Sequence, residues 1–457
     1  MTTTTPTTPA AAPTTTPRVS VLLPVHNAMP WLPSCVASVL MQTNVHLELI
    51  AVDDNSSDNS LTFLRELEDA MREQQAECAN CHTVSSEVEE TNGEQEKDQW
   101  EAFFSMHSGG GDDTASQESR YKPPTPAEVA KLASRTSCVL RVACVDANVR
   151  RNPSGQGLAL NTALQMSRGE LIGEMEADDL RPPWTFHKLV SALDANPAWD
   201  GVTSKLQIFG WDRPGMQRYV DWQNSLVEPN DIARGRFVEI PAQRASGLYR
   251  RASVFDRALV RYRDIWEVPV GSGTLVDCAV GAEHVENVLP KLAGWWPVDT
   301  DFWMRYFEHN LVAGKLDDVM YMWRQYPEQS TRTHSRTHVD RIGDCKAHYL
   351  ARLAGDSPLM IVGRGKTLSR FVADLKRHGG TLCASVDWKP GTSLPEELSG
   401  SWTPPCEHEN EEREEPASKR RRRAAPMRVF VYGAEKARRR VASCVPSFDA
   451  GVDWFAA

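Results

Sequence analysis

Three carboxylates stand together in the stretch GEMEADDLRPP, at Glu176, Asp178 and Asp179. An apolar pair, Leu171 and Ile172, leads into them, so they fall at the end of a strand. Pro182 and Pro183 bar its continuation. Side chains alternate along a strand, which puts Glu176 and Asp178 on one face and Asp179 in the turn beyond. Carboxylates this close repel one another, so they are either solvated turn residues or ligands for something cationic. Two further polar clusters follow apolar runs: His26-Asn27 after VSVLLPV, and Asp53-Asp54-Asn55-Ser56-Ser57-Asp58 after LELIAV. Asp, Asn and Ser are ordinary turn formers, and one such cluster means little. In doubly wound sheets, however, ligands bind outside the carboxyl ends of the strands. Three clusters on that edge describe a pocket with acceptors for a polar ligand and oxygen ligands for a hard divalent cation.

The elements that must position these residues read as follows. VSVLLPV (Val19 to Val25) is an apolar run of strand length, as expected for a strand covered on both faces, and LELIAV (Leu47 to Val52) reads as a second strand. Leu32, Val36, Val39 and Leu40 recur at helical spacing, and Leu61 to Met71 reads as a second helix. The β-α-β-α order predicts a parallel sheet with right-handed crossovers. Residues 75–137 are polar and interrupted by GGGDD and KPPTP, and are expected to be a disordered acidic insertion. Order resumes with VLRVACV (Val139 to Val145), a GQG turn, a helix over Leu158 to Ser167 and the strand ending in EADD.

Composition bounds the rest. A chain of 457 residues suffices for two or three domains. Of its net charge of −10, a balance of −9 lies between Glu77 and Arg120, so net charge says nothing about substrate. No apolar run is long enough to span a membrane. The Thr/Pro-rich residues 1–17 read as a disordered tail rather than a secretory signal. Ten cysteines without framework spacing fit reduced thiols, and a cytoplasmic location is expected. CANCH (Cys78 to His82) matches a haem-attachment pattern, but a chance match in a polar insert is the favoured reading. Lys419 to Arg423 is a basic run that would serve nuclear import, although beside the neighbouring glutamates it reads as solvated linker. No nucleic-acid partner is expected.

In order, VSVLLPVHNAMPWLPSCVASVLMQT, LELIAVDDNSSDNS, GQGLALNTALQMSRGELI and EADD closely resemble the family-2 glycosyltransferases of the GT-A fold, over about Arg18 to Arg336. The resemblance implies a Rossmann-like, mostly parallel nucleotide-diphospho-sugar transferase domain over residues 18–350. It implies an inverting transfer of a sugar from a UDP-sugar, UDP-GlcNAc favoured, to a hydroxyl of a carbohydrate or glycoconjugate acceptor. Pro24, His26, Asn27, Asp53 and Asp54 would hold the nucleoside, and Asp178 and Asp179 would bind Mn2+ or Mg2+ with the diphosphate. VDTDFWMRYFEHN (Val298 to Asn310) resembles the family's acid-rich helix start, which makes Asp299 the catalytic base, with Asp301 as the alternate. YMWRQYPEQSTRTH (Tyr321 to His334) resembles the loop that closes over the nucleotide, with Arg324 and Ser330 as diphosphate contacts. Three positions depart from the pattern: Glu176 stands where Asp is common, Leu160 stands where a basic residue is frequent, and Val298 replaces the usual Glu. With the last two, a non-catalytic nucleotide-sugar-binding or scaffold protein on the same fold stays open.

Beyond Arg352, SPLMIVGRGKTLSRFVADL and MRVFVYGAEKARRRVASCV read as β-α units separated by the charged residues 393–426. Together, residues 357–392 and 427–457 are expected to form a small Rossmann-like α/β unit. Gly363 and Gly365 give GxG without the third glycine of a dinucleotide fingerprint, and Met360 breaks the Walker A spacing.

Overall fold

A computed structural model describes residues 16–80, 93–108, 122–133, 136, 138–145, 155–263, 296–333, 338–398, 427–432, 435–445 and 454–456. The Thr/Pro tail before residue 16, the side chains of Cys78 to His82 and the Lys419–Arg423 run lie outside them.

The first sheet is built from β1 (Val19–Val25), β2 (Leu47–Asp53), β3 (Cys138–Cys144), β4 (Leu171–Glu174), β5 (Gly201–Gly210), β6 (Leu248–Arg250) and β7 (Ala313–Gln325). Its strand order is β3-β2-β1-β4-β6-β5-β7. All pairings are parallel except those of β6, which runs antiparallel to both β4 and β5. This is the expected Rossmann-like, mostly parallel α/β architecture of the GT-A class. Every residue of β1 and β2 is buried, including Ser20, which donates to Glu48 at 2.7 Å, and Glu48 itself, which pairs with Arg141 and Arg168.

The helices are α1 (Leu32–Leu40), α2 (Ser60–Asn80), α3 (Gly93–His107), α4 (Pro126–Ala133), α5 (Gln156–Met166), α6 (Thr185–Ala195), α7 (Pro214–Ser225), α8 (Pro229–Gly235), α9 (Val298–Glu308) and α10 (Val339–Ala354). Leu23, Val36, Leu49, Leu64, Val129 and Phe186 belong to one core cluster, on one side of the sheet. Leu22, Ile50, Leu160, Tyr249, Phe302 and Trp303 belong to the other. Neighbouring residues of a strand thus feed opposite cores, following the period of two.

The segment 75–137 departs from its expected disorder. Its described part carries α3 and α4, and α4 buries Val129, Ala130 and Ala133 in the first core. Aromatic side chains one helical turn apart on α3, at Trp100, Phe103, Phe104 and His107, supply a packing face that the acidic composition conceals.

A second sheet of four parallel strands follows, in the order β11 (Trp454–Ala456), β10 (Met427–Val431), β8 (Leu359–Gly363) and β9 (Leu382–Asp387). Its helices are α11 (Gly365–Arg377) and α12 (Glu435–Cys444). Gly365 opens α11 at φ +51°, where a Cβ is unfavourable, and its amide donates to Asp387 Oδ2 at 3.1 Å. Leu350 and Tyr349 of α10 share one core with Ile361, Phe371 and Val429, so the two sheets meet across that helix.

Candidate active site

The polar ends of β1, β2 and β4 converge, each fixed by hydrogen bonds to its neighbour. Pro24 is buried in β1 opposite Val52. His26 is exposed, and its Nδ1 lies 2.8 Å from the Asp54 carbonyl. Asn27 takes φ +49°, and its Oδ1 accepts from the Ser57 amide at 2.7 Å and the Asp58 amide at 3.3 Å. Its role here is to lace the loop after β1 to the loop after β2. Asp53 accepts from the Ser56 amide through Oδ2, at 3.2 Å. Its Oδ1 is buried and has no hydrogen-bond partner among the described residues. Such an atom is costly unless something completes it, and a ligand hydroxyl would. Asp54 is buried beside it.

The β4 end divides the three carboxylates differently from a simple pair of neighbours. Asp179 is fully buried, and both its oxygens are taken: Oδ2 accepts from the Tyr321 hydroxyl at 2.6 Å and Oδ1 from the Arg324 amide at 2.8 Å. Asp178 is half-buried and accepts from the Tyr326 hydroxyl at 2.9 Å. Glu176 is also half-buried; Gln156 Nε2 lies 2.7 Å from each of its oxygens, and Arg244 Nη2 lies 3.4 Å from Oε1. Glu176 and Asp178 are therefore the carboxylates nearer solvent. Burial raises the Asp178 carboxyl despite the Tyr326 hydroxyl and Arg324. Burial, then the Asp178 charge, pushes Asp179 well above the usual carboxylate range. The same burial and charges push the Cys35 thiol up as it donates to the Glu176 carbonyl at 3.2 Å.

This donor set fits a hard cation in its chemistry, since hard divalent ions take carboxylate oxygens. It is not a preformed cage. Among the described residues no group of three or more His, Cys, Asp or Glu is placed to hold a metal ion. Asp178, with Glu176 beside it, would supply protein oxygens, and the remainder of the shell would have to come from a ligand. Asp179, expected as a direct ligand, is instead committed to Tyr321 and Arg324.

Arg324 is buried rather than free in the pocket. Its guanidinium lies 4.1 Å from the Trp31 ring centroid and 4.5 Å from that of Phe209. It donates to the Asp178 carbonyl at 2.7 Å and, through both terminal nitrogens, to the His107 carbonyl at 3.2 Å. The Ser330 side chain lies outside the described residues. Leu160 is buried in the second core, and Val298 is buried at the start of α9.

Asp299 and Asp301 separate clearly. Asp299 is half-buried and accepts from Arg244 Nε at 2.8 Å. The fully buried Arg244 also pairs with Glu174 and Glu176, so one cation ties α9 to the end of β4. Asp301 points into the protein, accepting from Arg305 Nε at 2.9 Å and the Tyr349 hydroxyl at 2.6 Å. Burial would raise Asp301, but Arg305, Arg263 and the Tyr349 hydroxyl outweigh it and hold the carboxyl low. Gln156 lies in the GQG turn and Tyr321 and Tyr326 in the YMWRQY stretch, whereas Arg244 has no local sequence signal. A buried arginine facing three carboxylates becomes visible only once the strands are assembled.

Residues 20–81, which span β1, α1, β2 and α2, match the sequence profile described as Glycosyl transferase family 2. A search of curated proteins finds no match. Among solved structures, the chain is similar to S. aureus TarS 1-349 in complex with UDP-GlcNAc, at 14% identity and TM-score 0.41. That similarity covers 73% of this chain and 66% of the other, just under two thirds of its length. It is also similar to the mannosyltransferase PcManGT from Pyrobaculum calidifontis in complex with GDP-Man and Mn2+, at 17% identity and TM-score 0.38, covering 80% and 70% of the two chains. A third is glucosyl-3-phosphoglycerate synthase from Mycobacterium tuberculosis in complex with Mg2+ and UDP, at 14% identity and TM-score 0.35, covering 74% and 78%. Among the described residues, no helix is long and apolar enough to cross a membrane.

Proposed function

We propose that this protein is a family-2 glycosyltransferase that moves a sugar from a nucleotide-sugar donor to an acceptor hydroxyl with inversion. The observation that carries the reading is the convergence of three polar strand ends, with Asp299 brought to the same place by Arg244. The profile match over β1 to α2 supports it independently. Asp53, with its unpartnered buried oxygen, and Asp54 would take the nucleoside, together with His26 and the backbone around Pro24. A divalent ion, Mn2+ or Mg2+, would sit at Asp178 with Glu176 nearby, and when bound would neutralise the charge of the departing diphosphate. Asp299 would take the proton of the acceptor hydroxyl as it attacks the anomeric carbon. Its half-buried place at the start of α9 leaves it reachable, whereas Asp301 is spent on Arg305 and Tyr349.

For the donor we favour UDP-GlcNAc. The order of a GT-A domain, a GxGK β-α unit and a terminal strand resembles the beta-1,3-N-acetylglucosaminyltransferase-like protein 1 type. A panel of UDP- and GDP-sugars, assayed for metal-dependent hydrolysis and transfer, tests this reading. Release of UDP from UDP-GlcNAc with Mn2+, abolished in Asp299→Asn, is the expected result. Inactivity of the wild type on every donor, with UDP still bound, would favour a non-catalytic nucleotide-sugar-binding protein. The burial of Leu160 and Val298, where the family pattern carries polar side chains, is the observation on that side.

A further inference from the structure

The insertion between α2 and β3 reaches the candidate site itself. Helix α3 lays Trp100, with Phe103 and Phe104, against Leu180, Met322, Trp184 and Phe209. Leu180 and Met322 are paired to each other by two backbone hydrogen bonds, of 3.1 and 2.9 Å. Leu180 directly follows the Asp178-Asp179 pair in sequence, and Met322 lies between Tyr321 and Arg324, which hold that pair. The Phe104 ring meets that of Phe209 edge-on at 5.3 Å, and Phe209 in turn covers the Arg324 guanidinium. The helix ends at His107, whose carbonyl receives both terminal nitrogens of Arg324.

A helix C-terminus carries partial negative charge on its last carbonyls and favours a cation there. Arg324 is that cation. A nucleoside diphosphate is also an anion, and the most direct way for it to use Arg324 is through the same terminal nitrogens. Two negative partners cannot share them at hydrogen-bonding distance without repulsion. The outer face of α3 adds Glu94, Asp98 and Glu101, all exposed, to the negative side of the balance.

We infer that α3 is an intramolecular stand-in for the donor diphosphate: docking of the helix and binding of a metal–nucleoside diphosphate compete for Arg324. The inference rests on the donor reading given above and adds regulation of that site. Anything that lifts the helix, through its aromatic face or its acidic surface, raises the fraction of protein able to bind donor. If about nine molecules in ten hold the helix docked, undocking tightens apparent affinity by about tenfold.

The test compares wild type with a Trp100→Ser, Phe104→Ser double variant, which removes the docking face and leaves Asp178, Asp299 and Arg324 in place. Calorimetric titration with UDP in the presence of Mn2+ should show about tenfold tighter binding in the variant. Hydrogen exchange in the wild type provides a readout that needs no substitution: amides of residues 93–107 should exchange faster when UDP and Mn2+ are added. Unchanged affinity, or unchanged exchange under bound UDP, overturns the competition alone. Weaker binding in the variant also overturns it, by making α3 part of the site. If neither protein binds UDP, the donor reading falls and the competition with it.

Discussion

Arg244 Nε donates to the Asp299 carboxylate at 2.8 Å across 55 residues of chain, fastening the first turn of α9 to the strand ends. A carboxylate held by one fixed cation at a helix start is oriented, which a general base requires. Replacing Asp299 with Asn should lower turnover by about 10²–10⁴-fold, the range for a lost general base, and leave the Kd for UDP with Mn2+ nearly unchanged. Single-turnover kinetics beside calorimetry separates the two. Equal losses of binding and turnover would make Asp299 a structural residue.

Asp301→Asn should behave differently. Its carboxylate is buried with Arg305 and Tyr349, and breaking a buried ion pair costs about 3–5 kcal/mol. A clear drop in melting temperature is expected, with the catalytic rate of the remaining folded protein close to wild type. A rate collapse at unchanged melting temperature would transfer the base to Asp301.

Asp178 and Asp179 should also part company. Asp178→Asn should abolish the metal dependence of UDP binding. Asp179→Asn can still accept from the Arg324 amide and donate to Tyr321, and it removes a buried carboxyl whose charged form is disfavoured. That variant should fold with a melting temperature at or above wild type and retain metal-dependent binding. Complete loss of that binding in Asp179→Asn would return Asp179 to the metal.

Acid should weaken the junction between the sheets. Asp344 accepts from Trp296 Nε1 at 2.8 Å and pairs with His378 at 2.9 Å and Arg377 at 2.5 Å. Burial alone would raise its pKa, but the hydrogen bonds from His378, Arg377 and Trp296 outweigh burial and hold it at about 2. A depressed carboxyl stabilises the folded state above its unfolded pKa, about 3.9, and that contribution fades as pH falls through about 2. It amounts to about 2 kcal/mol. The stability difference between wild type and Asp344→Asn, measured by denaturant at pH 6 and pH 2.5, should therefore shrink toward acid. A difference independent of pH would remove the linkage.

The insertion is not expected to be dispensable. Deleting residues 126–133 strips Val129, Ala130 and Ala133 from the first core, and a fall in melting temperature of about 10 °C is expected from the burial lost. A deletion without thermal effect would show that α4 contributes nothing to that core.

What the sequence shows and what it hides follow one physical line. The strands β1, β2 and β8 are legible because strands covered on both faces are rich in apolar residues, as VSVLLPV, LELIAV and LMIVG are, with Ser20 and Glu48 as buried exceptions that bond to each other. The alternation expected to place Glu176 with Asp178 does not survive: β4 ends at Glu174, and Glu176, Ala177 and Asp178, all half-buried, lie beyond it. Helix α3 was hidden because composition averages over its faces, although WEAFFSMH holds an aromatic stripe at intervals of three and four. The roles of Asp179 and Arg244 could not be read locally. Their partners, Tyr321 and Asp299, lie 142 and 55 residues away.

The shared core across α10 sets where this chain can be cut. Tyr349 reaches one way to Asp301, beneath the turn that bears Asp299, while Leu350 and Ala354 belong to the cluster that includes Leu359 and Ile361 of the second sheet. Shortening the protein at Gly355 would leave those apolar faces in water and loosen the footing of Asp299. The C-terminal sheet thus acts as a buttress for the first sheet rather than as cargo appended to it.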